Sequence, residues 1–318
     1  MNNCPAYEFA VEQNSLDKNQ QSQRRLLDYA RDGYLILDSE LPLDVLTGAA
    51  DYMRTMLFDE HGSANTRRGH NAWDECDAIR EIACNTKLTT ILNDLYGRRP
   101  IPFQTINFPI GSEQPTHADG FHFNSIPSRF VCGAWVALED IDEDNGPLHY
   151  YPGSHTLPEY QMLDCVEAST ELKDFPGFDE YKEYYEPFIQ RVLNDKGFER
   201  KELHVKKGQA IIWSAGLCHG GSPIRDPSRT RLSQVTHYFF EHCTYYSPRF
   251  CNPQLGKLWL RNVRDVNSGE FVPHRFNGKS FSIPRAGPYR FDKNGRPVSL
   301  APFSFEQLLR SWREKLRV

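Results

Sequence analysis

Residues 130–140, FVCGAWVALED, and residues 231–242, RLSQVTHYFFEH, decide the fold class. Both are short runs rich in Val, Ala, Phe, Tyr and Trp, of the kind that forms β-strands. Comparable runs lie at 101–108, 148–154 and 204–216, separated by clusters of Gly, Pro, Asn and Asp. Many short strands with turn residues between them are typical of a β-sandwich or barrel. We therefore predict a mainly β fold, with a double-stranded β-helix (jelly roll, cupin-like) as its core.

The predicted core spans about residues 99–247 and lies within a single domain of residues 23–318. Helices are expected on its N-terminal side. Apolar residues at helical spacing in residues 24–57 predict a helix, a short strand and a second helix. A further helix is predicted over residues 86–97, where Gly97 ends it.

Three segments lie outside this pattern. Residues 1–22 are polar and predict a flexible N-terminal arm. Residues 156–200 are rich in Glu, Asp, Lys and Tyr and predict a helical or looped insertion. Residues 248–318 are rich in Pro, Arg, Asn and Phe, which predicts a mostly irregular C-terminal extension that ends in an amphipathic helix near 304–316.

Composition and charge argue against several classes of protein. The 318 residues carry a formal net charge of −5 without a Lys/Arg-dense run, so we expect no nucleic-acid or anionic-membrane surface. No stretch approaches the roughly eighteen apolar residues of a membrane-spanning helix, and the start lacks the apolar segment of a signal peptide. The eight cysteines contain no CxxC pair, as expected for free thiols in a reducing compartment. The prediction is a cytoplasmic protein that acts on a small molecule.

The segment THADGFHFN, residues 116–124, carries the candidate chemistry. His117 and Asp119 stand two residues apart, so on a strand both side chains point to one face. An imidazole beside a carboxylate suits a divalent metal, and His219, behind the strand-like run QAIIW, can add a third ligand. Two histidines and one carboxylate form a facial triad that leaves coordination positions open. An isolated HxD pair arises easily by chance, but the order of these residues within β-like sequence favours the metal site.

An arginine follows the distal histidine by 12 residues. A 2-oxo acid that chelates iron through one end leaves its other carboxylate without a partner, and a guanidinium binds such a group through paired hydrogen bonds. Strand alternation places Arg231 on the same face as Ser233 and Val235. Arg229 shares that face, so alternation leaves the choice between the two arginines open.

Four segments extend these motifs: HAD at 117–119, GAWVALEDIDEDNGPLHYYPGSH at 133–155, HGGSPIRDPSRTRLSQVTHYFF at 219–240, and the early ARDGYLIL at 30–37. Together they resemble the phytanoyl-CoA dioxygenase family of iron(II)- and 2-oxoglutarate-dependent oxygenases. The resemblance covers roughly residues 24–245. It implies Fe(2+) as the metal, with 2-oxoglutarate and O2 as cosubstrates, and hydroxylation of an unactivated C–H bond as the usual reaction.

The resemblance also implies roles for single residues. The implied iron ligands are His117, Asp119 and His219. The residues implied to bind or adjoin 2-oxoglutarate are Arg231, Gln104, Ser233, Trp135 and Asn107. Related halogenases lack the carboxylate ligand, so the presence of Asp119 favours hydroxylation over halogenation.

Four further residues are candidates for contact with the substrate: His122, Phe121, Tyr150 and Arg68. Each also has a purely structural interpretation. Alternation places His122 opposite to Asp119 unless the strand has ended there, and aromatic side chains belong more often to a core. Arg68 stands in the polar loop of residues 55–75, which is more often a solvated loop than a cap on a site.

Two other functions are compatible with a jelly roll that carries this motif. A cupin-like non-oxidative metalloenzyme would lack the arginine for 2-oxoglutarate, and Arg231 argues against it. A catalytically silent binding protein would have lost a metal ligand, whereas all three are present.

Overall fold

The computed structural model describes residues 3–9, 20–171, 178–252, 256–292 and 294–300. The α-helices in these residues are α1 (Gln20–Asp32), α2 (Leu43–Met56), α3 (Asp77–Ala83), α4 (Thr86–Tyr96), α5 (Phe178–Glu180) and α6 (Glu186–Asp195), with a π-helix at Tyr181–Tyr185 between the last two. Short 3-10 helices lie at Ala6–Phe9, Ala72–Asp74, Asp119–Phe121, Ser154–Thr156, Met162–Cys165 and Pro248–Phe250. No helix in the described ranges combines the length and the apolar character that crossing a membrane requires.

The strands, in chain order, are β1 (Tyr34–Asp38), β2 (Gly69–His70), β3 (Pro100–Phe108), β4 (Asn124–Ile126), β5 (Val131–Ala137), β6 (Leu148–Tyr150), β7 (Lys201–Glu202), β8 (Gln209–Ser214), β9 (His219–Gly221), β10 (Ser233–Phe240), β11 (Thr244–Tyr246), β12 (Leu258–Leu260), β13 (Val263–Arg264), β14 (Phe271–Val272), β15 (His274–Phe276), β16 (Lys279–Phe281), β17 (Gly287–Phe291) and β18 (Pro297–Ser299).

Two sheets form the core. The larger has the strand order β1-β8-β5-β10-β3-β2, with antiparallel neighbours, and the smaller has the order β7-β6-β9. Side chains from both sheets, such as Trp135 and Val235 from the larger and Leu148 from the smaller, share one apolar cluster. Antiparallel strands that alternate between two packed sheets confirm the predicted jelly roll.

The N-terminal helices cover the outer face of the larger sheet. Ala134 and Tyr238 of the sheet share a second apolar cluster with Ala49 of α2, Ile79 of α3 and Leu92 of α4. Because the central strands are buried on both faces, they read as continuous apolar runs in the sequence.

The helix, strand and helix predicted within residues 24–57 are confirmed as α1, β1 and α2. The predicted helix at 86–97 is α4, where the Asn85 side chain accepts a hydrogen bond of 2.9 Å from the Leu88 amide. Gly97 follows with a φ of 69°, the left-handed conformation that suits glycine after a helix. The sequence did not predict α3, because its seven residues are too few to show a clear period.

Part of the predicted flexible arm is packed onto the domain. Tyr7, in the turn Ala6–Phe9, is buried, and its ring centroid lies 5.0 Å from that of Tyr29 and 5.3 Å from that of Tyr96. This segment differs from the prediction because one aromatic side chain fills a space between α1 and α4. In the predicted insertion, α5, the π-helix and α6 form one helical run.

The described part of the C-terminal extension contains more β-structure than the sequence predicted. Its strands β12, β17 and β18 join β11 and β4 in a sheet of order β18-β17-β12-β11-β4, beside the hairpins β13-β14 and β15-β16. These strands are short and interrupted by Pro, Arg and Asn, and pairing rather than local pattern defines them. The predicted helix near 304–316 lies outside the described residues.

Replacing Phe240 by alanine should lower the free energy of unfolding by about 3–5 kcal/mol. Its ring is fully buried and stacks on Tyr96 with 3.9 Å between centroids. Urea unfolding followed by circular dichroism measures the change. The control Phe271→Ala removes a ring that is 68% exposed and should change stability by less than about 0.5 kcal/mol. Similar losses in both variants would contradict this packing.

Candidate metal centre

His117 and His219 meet through their backbones. The His117 amide donates to the His219 carbonyl at 2.9 Å, and the His219 amide donates to the His117 carbonyl at 2.8 Å. His219 begins β9, whereas His117 forms an isolated bridge and Asp119 begins the 3-10 turn Asp119–Phe121. The expected regular strand through His117 and Asp119 is therefore wrong. The turn nevertheless brings the carboxylate to the same side as the imidazoles.

The three side chains form a compact group of metal-binding atoms. His117 Nε2 lies 3.7 Å from Asp119 Oδ1, and His219 Nε2 lies 3.9 Å from the same oxygen. One donor atom from each of the three lies within 4.8 Å of the others. All three residues are buried. Since three donors at such distances can surround one divalent ion, this group is a candidate metal centre.

The opposite nitrogen of each imidazole is held by the backbone. His117 Nδ1 lies 3.0 Å from the Pro115 carbonyl oxygen, and His219 Nδ1 lies 2.9 Å from the Leu217 carbonyl oxygen. An Nδ1–H that donates to each carbonyl leaves Nε2 with its lone pair toward Asp119. Burial, and next the neighbouring His219, hold the pKa of His117 well below its ordinary value. The imidazole of His117 is therefore neutral, which is the form that binds metals.

The two oxygens of Asp119 have different surroundings. While Oδ1 faces the two imidazoles, Oδ2 accepts a hydrogen bond of 2.7 Å from the Trp213 indole and lies 3.4 Å from His237 Nε2. Burial alone would raise the pKa of Asp119, but His219 and His237 hold it well below its ordinary value. The carboxylate is thus ionised, with one oxygen oriented by Trp213 and the other free for a metal.

A cavity of about 290 Å³ opens in front of this group. Arg231 lines it and is 2% exposed; its guanidinium carbon lies 5.2 Å from the centre of the Phe108 ring and 5.7 Å from that of Trp135. Arg231 Nε has no hydrogen-bond partner, and no ion pair joins this side chain to a carboxylate in the described residues. Burial lowers the pKa of Arg231 to about 10, so it remains a cation at neutral pH.

The structure decides between the two arginines that alternation left open. Arg229 stands near the surface and forms an ion pair of 2.6 Å with Asp142. Arg231 therefore supplies the unpaired cation in the cavity.

Several predicted site residues also line the cavity: Gln104, Trp135, His122 and Arg68. Gln104 Oε1 and Trp135 Nε1 are buried polar atoms without a partner. The strand has ended before His122, so its ring turns back to lie 6.0 Å from that of His117. Arg68 donates to Gln114 Oε1 at 2.6 Å and closes one side of the cavity, so its loop is more than a solvated connection.

Four other predicted residues lie outside the cavity lining, and for them the structure does not match the expectation. Asn107 Nδ2 donates to Gln234 Oε1 at 3.3 Å, and the short Ser233 side chain reaches the Arg231 carbonyl at 3.3 Å. The Phe121 ring stacks on Tyr185, and the Tyr150 ring packs on Tyr34 with centroids 4.7 Å apart. These contacts hold all four side chains within the protein core.

The sequence interpretation missed other side chains of the cavity. Gln114 Nε2 lies 3.2 Å from His117 Nε2. His237 also lines the cavity, and the alternation that carries Arg231 and Val235 would have placed it on this face. Arg249 and Arg261 come from the C-terminal extension, and no pattern in the sequence marked them.

A family model described as Phytanoyl-CoA dioxygenase (PhyH) matches residues 29–232, more than half of the chain. The chain belongs to the phytanoyl-CoA dioxygenase family. This confirms the resemblance that the sequence motifs indicated.

Two curated relatives in this family have moderate identity to the chain. Phytanoyl-CoA dioxygenase domain-containing protein 1 of Danio rerio is 27% identical over 175 residues, which are 54% of this chain and 55% of that protein. The peroxisomal phytanoyl-CoA dioxygenase of Bos taurus is 28% identical over 137 residues, 42% of this chain and 36% of that protein. The matched region thus spans about half of these relatives or less.

Among solved structures, the non-haem α-ketoglutarate-dependent carbocyclase SnoK from nogalamycin biosynthesis aligns with a TM-score of 0.54 at 15% identity. The alignment covers 72% of this chain and 87% of SnoK. At this identity, the likeness shows that the family member described here shares the fold of SnoK.

Trp213→Phe should weaken divalent-metal binding about 10–100-fold, because phenylalanine keeps a ring but cannot donate to Asp119 Oδ2. Anaerobic titration with Fe(2+), with Co(2+) absorbance as a second probe, measures the affinity. Trp73→Phe is the matched control, since Trp73 is buried in the cluster beneath the helices. Equal metal affinity in the two variants would rule out the proposed orienting bond.

Proposed function

We propose that this protein is an iron(II)- and 2-oxoglutarate-dependent dioxygenase that hydroxylates an unactivated C–H bond of a small-molecule metabolite. The observation that carries the proposal is one cavity that contains both a three-donor metal-binding group and an unpaired, buried guanidinium, that of Arg231. Membership of the phytanoyl-CoA dioxygenase family supports the same reaction class.

The residues present fit an iron ion. His117, Asp119 and His219 offer two imidazole nitrogens and one carboxylate oxygen on one side of a cavity, the donor set of non-haem iron oxygenases. A bound iron(II) would supply the redox chemistry that couples oxidative decarboxylation of 2-oxoglutarate, to succinate and CO2, with insertion of the second O2 atom into a substrate C–H bond. The protein contributes the orientation of the donors, through the backbone carbonyls behind the histidines and through Trp213 behind Asp119.

The residues around Arg231 also fit the cosubstrate. A dicarboxylate of this kind has a second carboxylate that needs a cation, and Arg231 supplies one that the protein itself leaves unpaired. Phe108 and Trp135 flank the guanidinium with apolar surface, which strengthens its attraction for an anion. Trp135 Nε1–H adds an unpartnered donor that suits an oxygen of the same ligand.

The two rival functions fit these observations less well. A non-oxidative metalloenzyme gives no reason to bury an unpaired Arg231 beside the metal-binding group. A silent binding protein gives no reason for the support of Asp119 by Trp213 and of the histidines by backbone carbonyls.

We further propose that the protein acts in the cytoplasm. All eight cysteines are free thiols, which suits a reducing compartment.

The small size of the cavity supports a metabolite rather than a macromolecule as the substrate.

Anaerobic titration with Fe(2+) and 2-oxoglutarate tests the proposed function. We expect the wild type to develop the weak visible charge-transfer band of the iron chelate. His117→Ala should abolish the band because it removes one of three metal donors. The Arg231→Met variant should develop the band only at a 2-oxoglutarate concentration about tenfold higher or more, because a charged hydrogen-bond partner is removed.

Arg229→Met is the control for this titration, because Arg229 pairs with Asp142 near the surface. Its band should develop at the same 2-oxoglutarate concentration as that of the wild type. Absence of the band in folded wild-type protein would overturn the oxygenase proposal.

A further inference from the structure

Two arginines from the C-terminal extension reach into the cavity that holds the metal-binding group. Arg249 belongs to the short helix Pro248–Phe250, and Arg261 directly follows β12. The Arg249 guanidinium carbon lies 4.1 Å from the centre of the Phe178 ring and 4.3 Å from that of Phe250. Both arginines lie beyond residue 232, where the match to the family model ends.

These two cations have no counter-charge in the described residues. Neither Arg249 nor Arg261 forms an ion pair with a carboxylate there, and the nearest polar partner of Arg261 is Ser247 Oγ, which accepts from Nη1 at 2.8 Å. Arg249 is 8% exposed, and its Nε and Nη1 are buried without hydrogen-bond partners, as is Arg261 Nε. Burial, and then the charge of Arg249, lower the pKa of Arg261 to about 10.

Contacts with aromatic rings do not satisfy the buried N–H donors of Arg249 and Arg261. The rings offer the guanidinium faces a favourable environment, and Arg261 lies 4.7 Å from the centre of the Phe123 ring. They accept no hydrogen bonds from the buried in-plane N–H groups, and an unpaired buried donor is costly. Two like charges that share one cavity repel each other as well. An anion with several oxygen atoms would satisfy the donors and offset the repulsion.

This pair is separate from the site proposed for 2-oxoglutarate. Arg231 lies over Phe108 and Arg261 lies 5.8 Å from Phe103, and both rings belong to β3. Phe103 and Phe108 are five residues apart, which on a strand separates their Cα atoms by roughly 16 Å. One 2-oxoglutarate bound at Arg231 and at the metal therefore leaves Arg249 and Arg261 for another ligand.

We propose that Arg249 and Arg261 bind an anionic group, a carboxylate or a phosphate, of the substrate that is oxidised. That this anion belongs to an oxidised substrate rests on the proposed function. The anion site itself does not depend on iron or on 2-oxoglutarate. The substrate class is then a small acid, anchored by its anionic end at the C-terminal extension with its carbon skeleton toward the metal-binding group. This extension would set substrate choice, while the jelly roll supplies the oxidising site.

Anion-dependent thermal unfolding of the full chain tests this site. The parent is Arg231→Met, which removes the other unpaired guanidinium of the cavity without any need for metal or cosubstrate. Inorganic phosphate and acetate are each titrated against sodium chloride of the same ionic strength. An anion that binds the folded chain raises the unfolding temperature in proportion to its affinity.

We expect phosphate or acetate to stabilise the parent beyond chloride. Adding Arg249→Met and Arg261→Met should lower the affinity for the anion about tenfold or more. The two substitutions remove charged hydrogen-bond donors while they keep the side-chain length. Arg290→Met, an exposed residue of β17, is the control and should leave the effect unchanged. A response to phosphate alone identifies a phosphorylated substrate, and a response to acetate alone identifies a carboxylic acid.

Two results would overturn the proposal: stabilisation of the parent by neither anion, or equal stabilisation after both arginines are replaced. If the combined variant does not fold, the single variants Arg249→Lys and Arg261→Lys keep the charge and should bind the anion with intermediate affinity. Because no metal is present, failure here is distinct from failure of the iron and 2-oxoglutarate titration.

Discussion

The main-chain groups of His117 and His219 exchange two hydrogen bonds across segments that lie 102 residues apart in the sequence. This bridge extends the smaller sheet and sets the distance between the two imidazoles. Each ring is then oriented by a carbonyl two residues earlier in the chain, at Pro115 and Leu217. Closing so long a loop costs conformational entropy, which the packed strands between the two histidines offset. The metal-binding group is therefore a property of the whole jelly roll.

Buried positive charge is the second constraint on this cavity. Arg231 at one end and Arg249 with Arg261 at another are held among aromatic rings without carboxylate partners in the described part of the chain. Burying an unpaired charge destabilises a fold, so an arrangement of this kind is expected where a ligand supplies the missing charge. The two groups lie on different elements, one in the jelly roll and one in the C-terminal extension. The cavity is thus suited to two anionic molecules, of which one is the proposed cosubstrate.

The sequence predicted the parts of the molecule in which local pattern and packing agree. The strands around Trp135 and Val235 are buried on a helix-covered face and on a cavity face, and their continuous apolar runs reflect burial on both sides. The HxD pair and the distal histidine were identified because metal donors have recognisable spacing. Alternation could not separate Arg229 from Arg231, since the difference between them is an ion pair with Asp142 that depends on a distant loop.

Other features depend on contacts that a single sequence does not display. Ser233 and Tyr150 were plausible by position, but the Arg231 carbonyl and the Tyr34 ring hold them in the interior. The strands of the C-terminal extension are defined by pairing between segments that are apart in the sequence. The same pairing brings Arg249 and Arg261 to the cavity. Short strands with mixed composition give little local signal, so this region was interpreted as irregular.

An anaerobic crystal structure of the chain with Fe(2+) and 2-oxoglutarate would locate both the metal and the cosubstrate. For this metal centre we predict an anomalous iron peak bound by His117, Asp119 and His219, with one carboxylate of 2-oxoglutarate paired with Arg231. Iron bound elsewhere, or a cosubstrate whose distal carboxylate lies away from Arg231, would contradict it.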